Sequence, residues 1–284
     1  MKPLVSFIIT YHNEPEAFLR ACLESIRALH LSNDEAEVIV VDDGSETPPD
    51  GDFLYVHQEQ AGLSVARNTG LSHAQGLYIQ FVDADDCLIP SAYESVLEEL
   101  RKKSQDLVLF KMSTKEERCD KKPVLRESSG PDFLLNHNLR AAAWGYAFKR
   151  EILGDLRFYP GLLHEDELFT PQLFLKAKTL VELDVKAYFY RQHSGTITHS
   201  KSYEKVQKRL NDIRFTLREL QSLGNPILER RIRQLTVDYL QKSWTLSHSF
   251  RELRKRIKEL RKEGFLPLPV RRYSLRYFLA SLIV

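Results

Sequence analysis

The stretch "FVDADD", residues 81–86, crowds Asp83, Asp85 and Asp86 at the end of a strand-like run with no basic residue close by in sequence. Side chains two apart on an extended strand share a face at about 6.6 Å, close enough to bracket one small cation as the backbone begins to turn. Two unit charges about 4 Å apart repel by about 4 kcal/mol at an effective dielectric near 20, so a third carboxylate makes an empty site costly, and a divalent ion removes that cost. Oxygen ligands with water filling the shell suit Mg2+ or Mn2+, usually with substrate phosphates as the remaining ligands. Asp86 alone reads equally as the cap of a turn, or of a helix opening near Pro90. After another strand, "VIVVDDGS" presents Asp42, Asp43, Gly44 and Ser45. These suit a tight turn, or a carboxylate that accepts hydrogen bonds from a nucleobase or ribose at a sheet rim. Arg67 and Asn68 in "AGLSVARNTGL" fall on a helix, where Arg67 is either solvated or turned toward a carboxylate-lined cleft and able to neutralise a diphosphate. No GxGxxG follows the first strand, so the nicotinamide fingerprint is missing.

The elements that must position these residues are legible as alternating periods. "LVSFIIT", "AEVIVVDD", "FLYVHQ" and "LYIQFVDADD" are short β-branched and aromatic runs. Between the first two, Phe18, Leu19, Cys22, Leu23, Ile26 and Leu29 recur at helical spacing. "LSVARNTGLSHA" and "PSAYESVLEELRKK" are further helices, the second opened by Pro90 or Ser91. Continuous apolar strands alternating with helices imply a parallel sheet covered on both faces, with ligands beyond the carboxyl ends of its strands. Both acidic clusters lie at such ends. Residues 113–140 read as a surface crossing with a short helix at "PDFLLNH", "HEDELFTPQLFLKA" as a helix, and "LVELD" and "AYFYRQH" as two closing strands. Past Ser200 the periodicity is helical throughout, in stripes led by Val206, Leu210, Ile213, Leu217 and Leu220, then Ile232, Leu235, Tyr239 and Leu240.

At 284 residues with 43% hydrophobic content the chain suffices for one large domain with a substantial appendage. Cys22, Cys87 and Cys119 are an odd, widely spaced set, which argues against a disulfide framework or a zinc site and for a reducing compartment. No apolar run approaches the roughly 20 residues needed to span a bilayer, and the first hydrophobic run reads as a strand, so neither secretion nor membrane insertion is expected. The net charge of +2 is unevenly placed: from Arg251 onward ten basic residues face three acidic ones, +7, which leaves −5 for the first 250 residues. Within that tail Leu253, Ile257 and Leu260 share the apolar face of a basic helix, a pattern that lies on an anionic membrane surface or packs on the protein.

Taken in order, "PLVSFIITYHNE", "VIVVDDGS", "AGLSVARNTG", "FVDADD" and "HEDELF" closely resemble the family 2 glycosyltransferases of the bacterial surface-polysaccharide type, over roughly residues 3–200. The resemblance implies the GT-A nucleotide-diphospho-sugar transferase fold, a Rossmann-like, mostly parallel α/β sheet flanked by helices. Residues 1–200 would be the catalytic domain and 201–284 a helical C-terminal extension with a basic amphipathic tail. It implies that Thr10 and His12 touch the uridine and that Asp43, with Asp42 beside it, holds the base. Arg67 falls in the nucleotide-contacting helix. Asp83 and Asp85 belong to the donor site, with Asp85 near the ribose or the metal and Asp86 the direct metal ligand. His193, following a strand, completes the metal shell or touches the diphosphate with Arg191 assisting, or simply partners local backbone groups. Asp166 matches the catalytic base, because inversion at an anomeric carbon needs a carboxylate to take the acceptor hydroxyl's proton. Trp144, Tyr146 and Glu165 are expected near the acceptor, Trp144 and Tyr146 being equally suited to core packing. Many relatives carry Pro where Thr10 stands, and "YHNEPE" is one residue longer than the common loop.

The expected function is therefore an inverting hexosyltransferase dependent on Mn2+ or Mg2+. It would move a sugar from a nucleotide donor, UDP-linked, onto a saccharide or lipid-linked acceptor in capsular, exopolysaccharide or lipopolysaccharide synthesis. The expected location is cytoplasmic, with peripheral contact at the inner face of the membrane through the tail and a homodimer allowed; no nucleic acid partner is expected. Two alternatives stand beside it. A sugar-phosphate nucleotidyltransferase would also use acidic metal ligands, but it needs a glycine-rich basic loop that "TYHNEPE" lacks. A non-catalytic saccharide- or nucleotide-binding module would not need the intact acidic set.

Overall fold

The computed structural model describes residues 2–32, 34–115, 123–193 and 203–282. Cys119, counted above, and the 194–200 part of the sequence after His193 lie outside them. The described residues fall into two compact units, Met1–Pro131 with Arg140–His193, and Asp132–Leu139 with Ser194–Val284.

The first unit is built on a sheet with nine strands among the described residues. β1 (Val5–Tyr11) is buried along its whole length, and β2 (Ala36–Asp43), β3 (Leu54–Gln58) and β4 (Tyr78–Asp83) join it in the parallel order β3-β2-β1-β4. Helices cover both faces because alternate β1 side chains point opposite ways. Phe7 and Ile9 share a core with Leu19, Cys22, Leu23 and Ile26 of α1 (Glu16–Arg27) and with Tyr93, Val96, Leu97 and Leu100 of α3 (Pro90–Lys102). Ile8 faces α2 (Leu63–His73), where Gly70 gives it room: a Cβ there would stand 2.3 Å from its Cγ2. Pro90 opens α3 as the sequence suggests, its fixed φ suiting a position whose N–H has no helical partner. Free Cys22 and Cys87 are buried.

Beyond β4 the sheet is mixed, which the alternation of strands and helices does not reveal. β8 (Tyr146–Lys149) runs antiparallel to β4 and to β6 (Leu107–Ser113), while β9 (Leu180–Phe189) is parallel to β6. The short β5 (Cys87–Leu88) and β7 (Leu125–Ser128) each pair antiparallel with β9. The two closing strands expected from "LVELD" and "AYFYRQH" are one ten-residue strand, β9. Its polar interruptions, Asp184 and Lys186, are the outward half of a period-2 pattern whose inward half is Leu183, Val185 and Ala187. α5 (Asp166–Lys176) completes this unit.

The second unit is helical. α4 (Gly130–Asn136) brings in Asp132–Leu139, held by α7 (Glu229–Ser247): Arg230 donates to the Leu135 carbonyl at 3.0 Å and Arg231 to the Leu139 carbonyl at 3.1 Å. α6 (Tyr203–Ser222) buries Leu210, Leu217 and Leu220, three of the five stripe positions, and α7 buries Leu235, Tyr239 and Leu240. α8 (Phe250–Lys262) and α9 (Leu275–Ser281) follow, each with a serine N-cap. Glu263, just past α8, accepts from Arg218 at 3.0 and 3.1 Å and from Arg214, and these bonds hold its carboxyl down to about 2.

That pairing has a pH signature. The folded pKa lies below the ordinary glutamate value near 4.3, so the stabilisation is present above that value and disappears as pH falls toward about 2. The shift alone corresponds to about 3 kcal/mol, which solvent around Arg218 cuts to about 1–2 kcal/mol. Glu263→Gln is expected to lower the melting temperature at pH 7, with the gap from the parent protein closing as pH approaches 2. A gap independent of pH would show that packing, not charge, is lost.

Candidate active site

Three parallel strands end side by side. Thr10 pairs in register with Val41 on one side and Asp83 on the other, and Tyr11 with Asp42. The carboxyl ends of β1, β2 and β4 therefore bring Thr10, Asp42, Asp43 and Asp83 to one rim, the edge at which open α/β sheets bind ligands.

At the β2 end the two aspartates are already engaged. Asp42 accepts from the Ser45 N–H and the Tyr55 hydroxyl, both at 2.8 Å. Burial opposes its charge, but these bonds and one from His57 outweigh burial and hold its carboxyl below the usual range. Asp43 accepts from Gln58 at 2.7 Å and from the N–H groups of Ala61 and Gly62 at 2.8 Å. It thereby closes the loop ahead of α2 and sets a negative charge at that helix's N-terminus. Gly44 sits between at φ +76°, and a Cβ there would meet the Gln60 nitrogen at 2.8 Å, so this turn requires glycine. His12 donates from Nδ1 to the Asp43 carbonyl at 2.8 Å, which leaves its Nε2 as an acceptor facing the Gln60 amide at 3.0 Å. Asn13 accepts from the Glu46 N–H at 2.9 Å, tying the β1–α1 loop to the β2 turn. Gln58, Gln60 and Tyr55 are members of this rim that the sequence did not single out; their only signal is the position of β3 beside β2.

Arg67 is not solvated. It is buried in α2, with its guanidinium 5.6 Å from the Phe81 ring and 5.5 Å from the Phe158 ring. One edge donates to Asp83 at 2.8 Å and the other to Glu165, the residue before α5. Burial disfavours the guanidinium charge, but Glu165, Asp83 and Asp166 outweigh it and raise its pKa further. One cation is shared between buried Glu165 and partly exposed Asp83: desolvation, despite Arg67, lifts both carboxyls above their ordinary values. The arrangement joins the β4 acidic motif to the turn that presents Asp166, the half-buried first residue of α5. Asn68 fastens the other end of that connection, donating to the Phe158 carbonyl at 2.8 Å and accepting from its N–H at 2.9 Å.

In the acidic turn, Asp85 and Asp86 part company. Asp85 Oδ2 lies 2.8 Å from His193 Nε2, and each side chain is about a quarter exposed. Asp86 is 1% exposed; its Oδ1 accepts from the Arg191 N–H at 2.7 Å and its Oδ2 is buried without a hydrogen bond of good geometry. The Tyr188 hydroxyl beside it also accepts from the Asp83 N–H at 3.1 Å. Burial, then Asp83 and Asp85, push the Asp86 carboxyl up to about 8, with Arg191 and Tyr188 working the other way. Asp86 thus has the surroundings of a turn anchor, the other of the two readings open in the sequence. Arg191 braces the same turn: its Nε donates to the Asp85 carbonyl at 2.8 Å while its guanidinium lies over the Phe18 ring at 4.7 Å.

Among the described residues no three His, Cys, Asp or Glu side chains form a cage for an ion. Asp85 and His193, in contact and each about a quarter exposed, are the described pair that could enter the shell of such an ion, with water and substrate phosphates as its remaining ligands. Trp144 and Tyr146 are core residues. Trp144 stacks on Tyr188 at 4.4 Å and is approached by Arg140 at 5.0 Å, and Tyr146 is 1% exposed with its hydroxyl 2.9 Å from Thr170. Neither offers a free ring face to a sugar in this structure, and Glu165 is taken up by Arg67.

The glycosyl transferase family 2 profile matches residues 6–155, over half of the chain. The chain is 30% identical to the uncharacterized glycosyltransferase EpsJ of Bacillus subtilis over 227 residues, 70% of this chain and 64% of EpsJ. It spans between 35% and 65% of the length of the first curated relatives it matches. The Staphylococcus aureus TarS 1–349 structure in complex with UDP-GlcNAc superposes with TM-score 0.68 at 20% identity, covering 94% of this chain and 82% of that one. The mannosyltransferase PcManGT of Pyrobaculum calidifontis, in complex with GDP-Man and Mn2+, does so with TM-score 0.57 at 17% identity, covering 100% and 87%. By matched sequence the chain belongs to glycosyl transferase family 2, and by structure it has the GT-A fold with a helical C-terminal part.

Proposed function

We propose that the chain is an inverting, metal-dependent hexosyltransferase that takes its sugar from a UDP-linked donor and passes it to a saccharide or lipid-linked saccharide acceptor in cell-surface polysaccharide synthesis. The observation that carries this reading is Arg67, buried between Glu165 and Asp83, because it fixes the Asp166 turn relative to the acidic motif of β4. Structures of similar proteins with UDP-GlcNAc, and with GDP-Man and Mn2+, support a nucleotide-sugar donor and a metal. TarS, a poly(ribitol-phosphate) β-N-acetylglucosaminyltransferase, supports the surface-polymer acceptor.

In this reading Thr10, His12, Asp42 and Asp43 form the nucleoside rim, with the His12 tautomer and the Asp43 loop fixed before the donor arrives. Asp85 and His193 would hold the divalent ion, which supplies positive charge for the departing diphosphate. Asp166 takes the proton of the acceptor hydroxyl as its oxygen bonds to the anomeric carbon, and the bond from that carbon to the diphosphate oxygen breaks, releasing UDP. Glu165, already bonded to Arg67, is a positioning residue and Asp166 the catalytic one.

Calorimetric titration of UDP with and without Mn2+ tests this assignment. Asp85→Ala is expected to weaken UDP binding in Mn2+ by at least about tenfold, equivalent to about 1.4 kcal/mol, and to leave metal-free binding unchanged. Equal weakening in both conditions would place Asp85 on the nucleoside instead of the ion.

A further inference from the structure

The apolar stripe of the last helix faces outward. Leu275, Leu279 and Leu282 recur at four and three residues on one side of α9 and are 75%, 51% and 60% exposed; Val270, shortly before it, is 57% exposed. The opposite side of α9 holds it to its own unit. Tyr277 is buried and donates to the Pro269 carbonyl at 3.1 Å, and Arg276 pairs with Asp238 of α7. The leucines are therefore exposed on an anchored helix. Exposed Arg271 and Arg272 adjoin the stripe, and from Gly264 to Leu282 the sequence contains three arginines and no acidic residue. α8, immediately before, carries seven basic residues against two acidic ones.

We propose that this face of α9, with Arg271 and Arg272 at its edge, is a docking surface for an anionic lipid bilayer. The leucines and Val270 enter the headgroup–acyl boundary, and the two arginines meet lipid phosphates. A short leucine stripe beside unbalanced positive charge is the pattern that holds an interfacial helix, its apolar area and its attraction to anionic lipid adding together. A second copy of the chain is the poorer occupant. Four side chains exposed by 51–75% offer less than the ~800 Å2 per partner of a stable interface, and pairing two such faces adds the like charges of Arg271 and Arg272 from each copy. The proposal stands on the helical unit alone and is independent of the transfer chemistry.

The test is co-sedimentation of the full chain with phosphatidylcholine vesicles and with phosphatidylcholine–phosphatidylglycerol vesicles at low and high salt. Binding to the anionic vesicles alone, weakened by salt, is expected. Leu275→Ser/Leu279→Ser is expected to lower partitioning by about tenfold or more with an unchanged melting temperature, because both side chains already face solvent. Arg271→Gln/Arg272→Gln is expected to lower it on anionic vesicles and to reduce its salt dependence. Failure of the parent protein to bind anionic vesicles, or unaltered binding by the leucine variant, overturns the proposal. So does a concentration-dependent dimer that the leucine variant abolishes, which would assign the face to a second copy.

Discussion

Asp166→Asn is expected to lower sugar transfer by about 10²- to 10⁴-fold while leaving UDP and UDP-sugar affinity within about twofold of the parent protein, the range a positioned general base contributes. The substitution keeps the size of the side chain and removes only its ability to take a proton. Of the three acidic residues at this turn, Asp166 is the one the family resemblance implies as base. Glu165 is buried and spends its carboxylate on Arg67. Asp166 opens α5 half-buried, its charge felt by both Arg67 and Tyr146. Steady-state kinetics would therefore show kcat falling with KM for the donor little changed. A loss of donor affinity with kcat retained would move Asp166 from the reacting hydroxyl to the nucleotide.

Arg67→Leu is expected to have the largest effect on stability. It leaves the buried Glu165 and the partly exposed Asp83 without their cation, a loss of about 3–5 kcal/mol carried chiefly by Glu165, since breaking a buried pair strands the remaining charge. For a chain of this size that corresponds to a drop on the order of 10 °C in melting temperature. Arg67→Lys is expected to recover little, because a single ammonium cannot reproduce the two-edged fork between Asp83 and Glu165 or lie flat between Phe81 and Phe158. Glu165→Gln in the Arg67→Leu background is expected to restore part of the loss by removing one stranded charge. If the double variant melts no higher than Arg67→Leu alone, the cost lies in packing around the aromatic rings.

The parallel half of the sheet was readable because β1, β2 and β4 are buried on both faces and their runs are unbroken. The mixed half was not: β8 is four residues long and β5 two, too short for a period to show. The spacing splits β9 in two because its outward Asp184 and Lys186 interrupt what a fully buried strand would show as one run. At the site, residue type and strand position were enough to bring Asp43 and Asp83 to one rim, and the family resemblance added Thr10. The partners were hidden, because they depend on contacts distant in sequence: Arg67 and Glu165 are 98 residues apart, and Asp85 and His193 are 108 apart. For the same reason local spacing gave no sign of what engages Asp86: the Arg191 N–H that bonds it comes from just past the end of β9.

Release of nucleoside diphosphate from a panel of UDP-, GDP- and dTDP-sugars, with Mn2+ and after chelation, tests the proposed chemistry most directly. The expected result is UDP liberated from a UDP-sugar only when metal is present, with faster release once a saccharide acceptor is added. Pyrophosphate formed from UTP and a sugar phosphate, or no release from any donor by the folded protein in Mn2+, would contradict it.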